Sequence, residues 1–286
     1  MREISKRIAI WLLVLFIMLD IDSIGTNVVY AADSSTKDEI IYVKNERQLA
    51  EAVHDEMLQW KTNFTVRCKG SWGKVFSGNL QGLFEDALAI DDKSTSDDFD
   101  YMRGTIKTYG VKIIENSKGS EFMFSVTYRE TWKQHKKVNQ FVKSTLAKLN
   151  LDKKSDYAKI KAIHNYIINR VSYDQSCTNF SAYSAAIKKK AVCQGYALLF
   201  YKMAAEAGIQ VRCVESVNHE WNIVKLGKKW YHVDTTWDDP VASKPMLVYD
   251  YFLKGSKTMA KTHTMMAEYN TRAFKSKYPI STTDYK

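Results

Sequence analysis

Four cysteines are the side chains of this sequence best suited to covalent chemistry: Cys68, Cys177, Cys193 and Cys213. None of them forms a C-x-x-C pair, so we do not predict a structural zinc site. Cys193 opens the run CQGYALLFYKMAAEAG, whose apolar residues recur at helical spacing. A cysteine at a helix N-terminus can be held as a reactive thiolate by the N–H groups of the first turn. Taken alone, though, a cysteine in this position is more often a core residue than a nucleophile.

A nucleophilic cysteine needs a base and an orienter, and the segment HEWNIVKLGKKWYHVDTTW offers both. Its two halves alternate like strands and meet at the two-residue turn Gly227–Lys228, which predicts a β-hairpin. If Leu226 pairs with Lys229, then His219 and Asp234 are diagonal neighbours on one face, roughly 7–8 Å apart at Cα. The register therefore predicts a hydrogen bond between the His219 and Asp234 side chains.

Other polar residues near this hairpin compete for a role. His232 lies on the same strand face as the orienter, but its cross-strand neighbours carry no carboxylate, so we predict a structural histidine. His164 falls on or near the apolar stripe of a predicted helix, and it too is expected to be structural. Asp238 and Asp239 precede a proline and are predicted to be turn residues.

Three blocks strongly resemble the transglutaminase-like superfamily, in the form found in exported bacterial proteins: AVCQGYALLFYKMAAEAGI, NHEWNIVKLGKKWYHVDTTWDDP and YDYFLKGSKTM. The resemblance covers about residues 155–265. It implies an α+β fold with a papain-like core, in which a helix bearing the thiol packs on an antiparallel sheet bearing the other two residues. On this pattern Cys193 is the nucleophile, His219 is the general base and acid, and Asp234 is the orienter.

The chemistry implied by the resemblance is acyl transfer through a thioester. The thiolate attacks a carboxamide carbon, His219 protonates the leaving ammonia, and an amine or water then resolves the thioester. The backbone N–H of Cys193 is placed to stabilise the developing oxyanion. A second donor is not fixed by the sequence, and four residues are candidates for the oxyanion site or for substrate binding: Gln194, Tyr173, Trp221 and Trp237. For the two tryptophans, core packing is the first interpretation and lining an acyl channel is the second.

Two alternatives stay open. A cysteine protease or amidase on the same fold would use the same triad, because only the acceptor differs. A binding module on a catalytically idle scaffold would keep the triad without a usable cleft. The expected partner is a protein or peptide substrate, with cell-wall material as one source. We predict no cofactor and no metal.

The residues before this core read as a small β-α-β-α-β-β module over 32–130, with a hairpin turning near Asn116–Gly119. Five aspartates fall within Asp91–Asp100, but the EF-hand glycine and closing glutamate are missing, so we predict a solvated loop. The module shows no chemistry of its own and is expected to serve packing or recognition. A lysine-rich helix over Glu130–Asn150 connects the halves, and Ser155 is expected to cap the next helix.

The start of the chain predicts export. A basic Arg2–Arg7 segment precedes an apolar run over Ile8–Leu19, and small residues offer a cleavage site after Ala31. The run is shorter than the roughly 20 residues of a spanning helix, so an uncleaved anchor is the less favoured alternative. We expect a secreted or cell-wall-associated protein with no membrane span after cleavage. A Cys177–Cys213 disulfide stays open in that setting.

Composition and charge fit this picture. The hydrophobic share of 45% and the charged share of 26% are typical of globular proteins. The net charge of +10 comes from lysines spread along the chain, with no basic block interleaved with aromatics, so nucleic-acid binding is not predicted. The predicted division is a signal peptide over 1–31, an accessory module over 32–130, a connecting helix and linker over 131–154, and a catalytic domain over 155–286.

Overall fold

The computed structural model describes residues 41–240 and 246–286, and its fold is α+β, as predicted. The predicted signal peptide lies outside the described residues. No helix in these two ranges combines the length and apolar character that a membrane crossing requires.

The first half of the chain builds a four-stranded sheet in the order β1-β2-β4-β3. Its strands are β1 Ile41–Val43, β2 Asn63–Cys68, β3 Ile106–Asn116 and β4 Gly119–Tyr128. The hairpin between β3 and β4 turns at Asn116 and Gly119, as predicted. Helices α1 Glu46–Leu58 and α2 Leu80–Leu88 share a hydrophobic core with this sheet.

The acidic stretch differs from its prediction. Helix α3 Phe99–Thr105 begins inside it, where the sequence predicts a loop. Asp98 and Asp100 are buried rather than solvated. Asp100 accepts two hydrogen bonds from Arg212, at 2.6 and 3.0 Å, and a third from the backbone N–H of Cys213. Partners more than a hundred residues away therefore decide the position of this segment, and local composition cannot reveal them.

The second half begins with two capped helices. Helix α4 Trp132–Leu149 starts with a capping box formed by Thr131 and Gln134, and helix α5 Asp156–Ile168 is capped by Ser155, as predicted. A two-stranded parallel pair follows, with β5 Ser172–Tyr173 next to β6 Lys190–Ala191. A short π-helical turn over Ser184–Lys188 separates these two strands.

Helix α6 Cys193–Glu206 is the central element of this half. Every residue from Gly195 to Ala204 is buried. Such a helix must be covered on all sides. It packs against α5, against the first half of the chain and against an antiparallel sheet of order β10-β9-β8-β7. The strands of this sheet are β7 Val211–Glu215, β8 Glu220–Leu226, β9 Lys229–Val233 and β10 Phe252–Lys254.

The opposite face of this sheet is covered by the C-terminal part of the chain. Trp221, Trp230 and Met259 belong to a separate hydrophobic cluster there. It includes residues near helices α7 Ser256–Met259 and α8 Arg272–Lys277. The sheet is therefore buried on both sides, which fixes the residues at its strand ends.

Residues 279–285 fasten the edge of the sheet. The backbone of Trp230 exchanges hydrogen bonds with Pro279, at 3.1 Å, and Ser281, at 2.8 Å. Tyr285 donates its N–H to the carbonyl of Leu253 at 3.0 Å. The C-terminal segment thus ties β9 to β10 along their outer side.

Candidate active site

Cys193 is the first residue of α6, as predicted, and it is partly exposed. No side-chain hydrogen bond of the described residues caps this helix. The Gly195 N–H already donates to the Val192 carbonyl at 3.0 Å, so the N–H groups of Cys193 and Gln194 are the ones left for another partner. Gly195 lets the chain approach closely: an added Cβ would lie 2.6 Å from the Ala191 Cβ and 2.9 Å from the Ser181 carbonyl oxygen. The close neighbours of Gly195 therefore belong to the same chain, and they fix where α6 begins.

The hairpin has the predicted register. Leu226 pairs with Lys229, and Asn222 pairs with Val233, where the ladder ends. The sequence predicts His219 within the strand, but it lies one residue before β8. Asp234 directly follows β9, and its Oδ2 lies 2.6 Å from Nε2 of His219. The predicted histidine–aspartate pair is therefore formed just beyond the end of the ladder.

Asp234 is buried and its carboxylate is fully engaged. Its Oδ1 accepts hydrogen bonds from the backbone N–H groups of Thr236, at 2.9 Å, and Trp237, at 3.1 Å. Its Oδ2 is shared by His219 and by His263, whose Nε2 is 2.9 Å away. Burial alone would raise the pKa of Asp234, but the hydrogen bonds from the two histidines outweigh burial and hold that pKa below its usual value.

The His219 side chain is mostly buried, with 12% of it exposed, and Cys193 is partly exposed. Burial disfavours its charged form, yet hydrogen bonds with Asp234 and Cys193, together with their negative charges, raise the pKa of His219 to about 9. Since Nε2 is bound to Asp234, the other ring nitrogen, Nδ1, is the one left for the thiol. The arrangement favours a protonated His219 imidazole next to Cys193.

His263 was missed by sequence reasoning. It lies in the loop after α7, its imidazole is buried, and it reaches Asp234 from a part of the chain 29 residues away. No periodic pattern places this loop beside the hairpin. The only available signal was the residue type itself, a histidine soon after the YDYFLKGSKTM block.

The four candidates for oxyanion or substrate binding differ in their contacts and in their exposure. Tyr173 pairs with Ala191, two residues before Cys193, and burial and then the nearby Cys193 charge raise the pKa of Tyr173. Gln194 donates its side-chain amide to the Gly104 carbonyl at 3.2 Å, so that hydrogen is already used.

The two tryptophans differ in exposure. Trp221 is buried, stacks on His219 with ring centroids 5.7 Å apart and donates to Nδ1 of His232 at 3.0 Å. Trp237 is 43% exposed and lies 5.6 Å from the His219 ring and 4.5 Å from the His263 ring. Of the two, Trp237 is the one that forms part of the open side of the site.

Three of the four competing polar residues, His164, His232 and Asp238, are buried, and Asp239 is partly buried. Burial and the neighbouring His263 lower the pKa of His232 to about 3, so it is neutral and acts as an acceptor for an indole. His164 contacts the Asp238 carboxylate at 2.9 Å, a partner that the sequence did not predict. Asp238 and Asp239 lie in a turn, but both have side-chain partners, and Asp239 accepts from the Tyr196 hydroxyl at 2.6 Å.

One group of three could hold a metal ion among the residues that the structure describes, namely His219, Asp234 and His263, with ligand atoms within 4.8 Å of one another. The 2.6 and 2.9 Å separations are hydrogen-bond distances, and both imidazoles point at the same oxygen. A bound metal would have to replace both hydrogen bonds. All four cysteines are free thiols; Cys68 and Cys213 are buried and Cys177 is exposed, so no Cys177–Cys213 bridge is present.

Comparison with known proteins agrees with this geometry. Residues 143–235 match the family model of the transglutaminase-like superfamily. The match contains Cys193, His219 and Asp234 in that order. These residues form a transglutaminase-like domain. His263 lies beyond the matched range.

Individual relatives of the transglutaminase-like domain are distant. The human kyphoscoliosis peptidase is 26% identical over 46% of this chain and 25% of its own length. The mouse kyphoscoliosis peptidase is 29% identical over 38% of this chain and 21% of its own. The chain thus spans about a quarter of the length of these curated relatives. A crystal structure of a TGase covers 79% of this chain and 64% of that one, at 12% identity and a TM-score of 0.36. The transglutaminase-like superfamily is typically enzymatic and includes cysteine proteases and acyltransferases.

Proposed function

We propose that this chain is a secreted transglutaminase-like enzyme that acts on protein or peptide carboxamides through a thioester at Cys193. The observation that carries the proposal is the 2.6 Å hydrogen bond of His219 to the buried Asp234, next to the cysteine that begins α6. A base with an orienting carboxylate beside a helix-terminal cysteine is the arrangement that nucleophilic catalysis requires.

The reaction runs in two halves. The Cys193 sulfur attacks the carboxamide carbon and forms a C–S bond, while the carbonyl electrons move to oxygen. When the tetrahedral intermediate collapses, the C–N bond breaks and His219 delivers its Nδ1 proton to the nitrogen, which leaves as ammonia. In the second half His219 takes a proton from the incoming amine or water, and this nucleophile displaces the sulfur. Asp234 keeps the imidazole in one tautomer and one orientation throughout.

The oxyanion lies at the start of α6 in this mechanism. The helix begins at Cys193 without a side-chain cap, so the backbone N–H of Cys193 and the positive end of the helix dipole are available to the developing charge. Both side-chain candidates for the second donor remain: Tyr173 lies on the strand that pairs with Ala191, and the Gln194 amide has a second N–H besides the one that binds the Gly104 carbonyl.

A second candidate function is peptide-bond hydrolysis. The observation that favours it is the name of the human and mouse relatives, which are called peptidases. The same thioester would form from a peptide carbonyl, and water would be the acceptor. The two candidates share every residue of the triad, so only the products separate them.

Export is part of the proposal. It is supported by the basic, apolar and small-residue segments of residues 1–31. Sequencing the amino terminus of the protein recovered from culture medium tests export, and cleavage after Ala31 gives a chain that begins at Ala32. A chain that begins at Asp33 is expected to have the same activity.

Active-site labelling tests the nucleophile. Iodoacetamide is expected to modify Cys193 faster than Cys177, the exposed cysteine that serves as the matched reference. The C193A variant should lose all activity and keep its unfolding midpoint, whereas C177A should keep both. Equal labelling of the two thiols would reject the nucleophile assignment.

A product assay distinguishes the two candidate functions. A glutamine-containing peptide is incubated with and without a primary amine, and ammonia release and peptide mass are followed. Amine incorporation or conversion of glutamine to glutamate supports the first proposal. Amine-independent cleavage of the peptide backbone supports the second.

A further inference from the structure

We infer that His263 is a positioning residue, which holds the Asp234 carboxylate in the orientation in which it binds His219. The inference rests on the proposed function, because it concerns the same triad. It extends the triad by a second histidine that approaches the carboxylate from the C-terminal part of the chain.

The hydrogen bonds of His263 fix its own orientation. Its Nε2 lies 2.9 Å from Oδ2 of Asp234, and its Nδ1 lies 2.8 Å from the Thr262 hydroxyl oxygen. Its backbone N–H donates to the Met259 carbonyl at 2.8 Å, which anchors the loop to the end of α7. Both ring nitrogens are therefore engaged, and the side chain is almost completely buried.

These partners also determine the tautomer. An ionised carboxylate can only accept hydrogen bonds, so Nε2 of His263 must be the protonated nitrogen. The Thr262 hydroxyl is then the donor to Nδ1. A neutral imidazole satisfies both contacts, and the same argument requires Nε2 of His219 to be protonated. Two imidazole N–H groups thus converge on one carboxylate oxygen.

The four donors fill the acceptor capacity of Asp234. A carboxylate offers about four lone-pair positions. Thr236 and Trp237 occupy those of Oδ1, while His219 and His263 occupy those of Oδ2. If His263 is removed, Oδ1 keeps its two backbone donors, but Oδ2 keeps only the bond to His219. The oxygen that orients the base then loses one of its two partners, and its position relative to His219 is less strictly fixed.

Aromatic rings enclose this contact. The His263 ring has centroid distances of 4.8 Å to Trp221, 4.5 Å to Trp237 and 5.1 Å to Tyr251. Water therefore has little room to replace a lost donor, so the effect of removing His263 is not compensated by solvent. The titratable groups that face Asp234 are His219 and His263 in contact, with His232 and Asp238 farther away.

The test measures how fast Cys193 is alkylated by iodoacetamide as a function of pH, in the full chain. This readout needs no substrate, and it depends on the imidazolium that His219 holds beside the thiolate. In H263L the acid limb of the profile should move to higher pH and the rate at pH 6 should fall about tenfold. H263Q keeps an N–H donor near the position of Nε2, so its profile should stay within about threefold of the unchanged protein.

A matched control separates positioning from stability. His164 makes a bond of the same type and length, 2.9 Å to the buried Asp238 carboxylate, and does not contact the triad. H164L should lower the unfolding midpoint and leave the alkylation profile in place. H263N, whose amide is too short to reach Oδ2, replaces H263L if that variant does not fold, and the same shift is expected.

Several results would overturn the inference. One is an H263L or H263N profile that coincides with that of the unchanged protein. Another is an H263Q profile as poor as that of H263L, which would assign His263 a packing role. Loss of labelling after treatment with EDTA would make the cluster a metal site. Failure of Cys193 to label selectively in the unchanged protein would instead reject the proposed function, so the two failures are distinguishable.

Discussion

At the scale of single residues, the site is organised around the charge of Asp234. This buried carboxylate stays ionised because four hydrogen bonds replace the water that it loses. Its charge and that of the Cys193 thiolate make His219 a stronger base than an ordinary histidine. Near neutral pH, His219 is therefore protonated before it takes part in any proton transfer.

The pKa of about 9 predicts different pH limits for labelling and for turnover. Turnover needs the His219 proton for the leaving nitrogen, so it should decline as pH rises through about 9. Alkylation needs only the thiolate and should continue above that pH. Parallel pH profiles of the two rates check this prediction, and a common decline of both would contradict it.

The same ionisation links stability to pH. The pKa of His219 rises from 6.5 to about 9 in the folded protein, so its contribution to the free energy of unfolding is complete below pH 6.5 and is lost as pH rises through about 9. The difference in unfolding free energy between the unchanged protein and H219Q should therefore shrink across this range. Urea titrations at several pH values measure this difference. A difference that does not change with pH would show that the folded protein does not stabilise the charged form of His219.

At the scale of elements, the position of Cys193 depends on how α6 begins. The backbone at Ser181 lies so close to Gly195 that any Cβ would displace either the loop or the helix. The Cys193 thiol and the backbone N–H that we propose as oxyanion donor both belong to this first turn. A small backbone shift here changes both at once.

The G195A substitution tests this dependence. Its Cβ would meet a backbone oxygen at 2.9 Å, so we expect the alkylation rate of Cys193 to fall at least tenfold and the unfolding midpoint to decrease. G73A is the control, because Gly73 is exposed and nothing lies within 4 Å of its added Cβ. If G195A were labelled as fast as G73A, the close approach would not control the thiol.

The hairpin and the histidine loop show what could be predicted from the sequence. A two-residue turn fixes every pair on the ladder, so the Gly227–Lys228 turn was enough to place His219 beside Asp234. His263 belongs to no regular element, and only the packing of α7 against the sheet brings it to Asp234. The buried Asp100 was missed for the same reason, since Arg212 is its partner across the fold.

At the scale of the whole molecule, the two halves of the chain are locked by buried charges. Asp100 of α3 forms a bidentate ion pair with Arg212 of β7. The buried Lys202 of α6 pairs with Asp97, and Ser96 donates to Glu206 at 2.9 Å. The acidic stretch thus holds both α6, which carries Cys193, and the edge strand β7 of the second sheet.

The D100A substitution should be strongly destabilising, by about 3–5 kcal/mol, because it leaves a buried arginine without its partner. E51A removes the exposed pair with Arg47, and there we expect a loss of only about 0.2–1 kcal/mol. Chemical denaturation of the two variants measures both values. Equal losses would mean that the Asp100 pair does not brace the fold.

The C-terminal segment that fastens β9 to β10 also bears on how the protein is made. A ribosome delivers the chain from its amino end at about 5–20 residues per second, and folding follows the order of delivery. The strands that carry His219 and Asp234 therefore emerge before residues 279–285, which satisfy the outer backbone groups of Trp230 and Leu253. Until that segment arrives, the sheet has an unpaired edge that invites association with other chains. The sheet next to His219 and Asp234 is thus complete only when the last residues of the described chain, up to Tyr285, have been added to it.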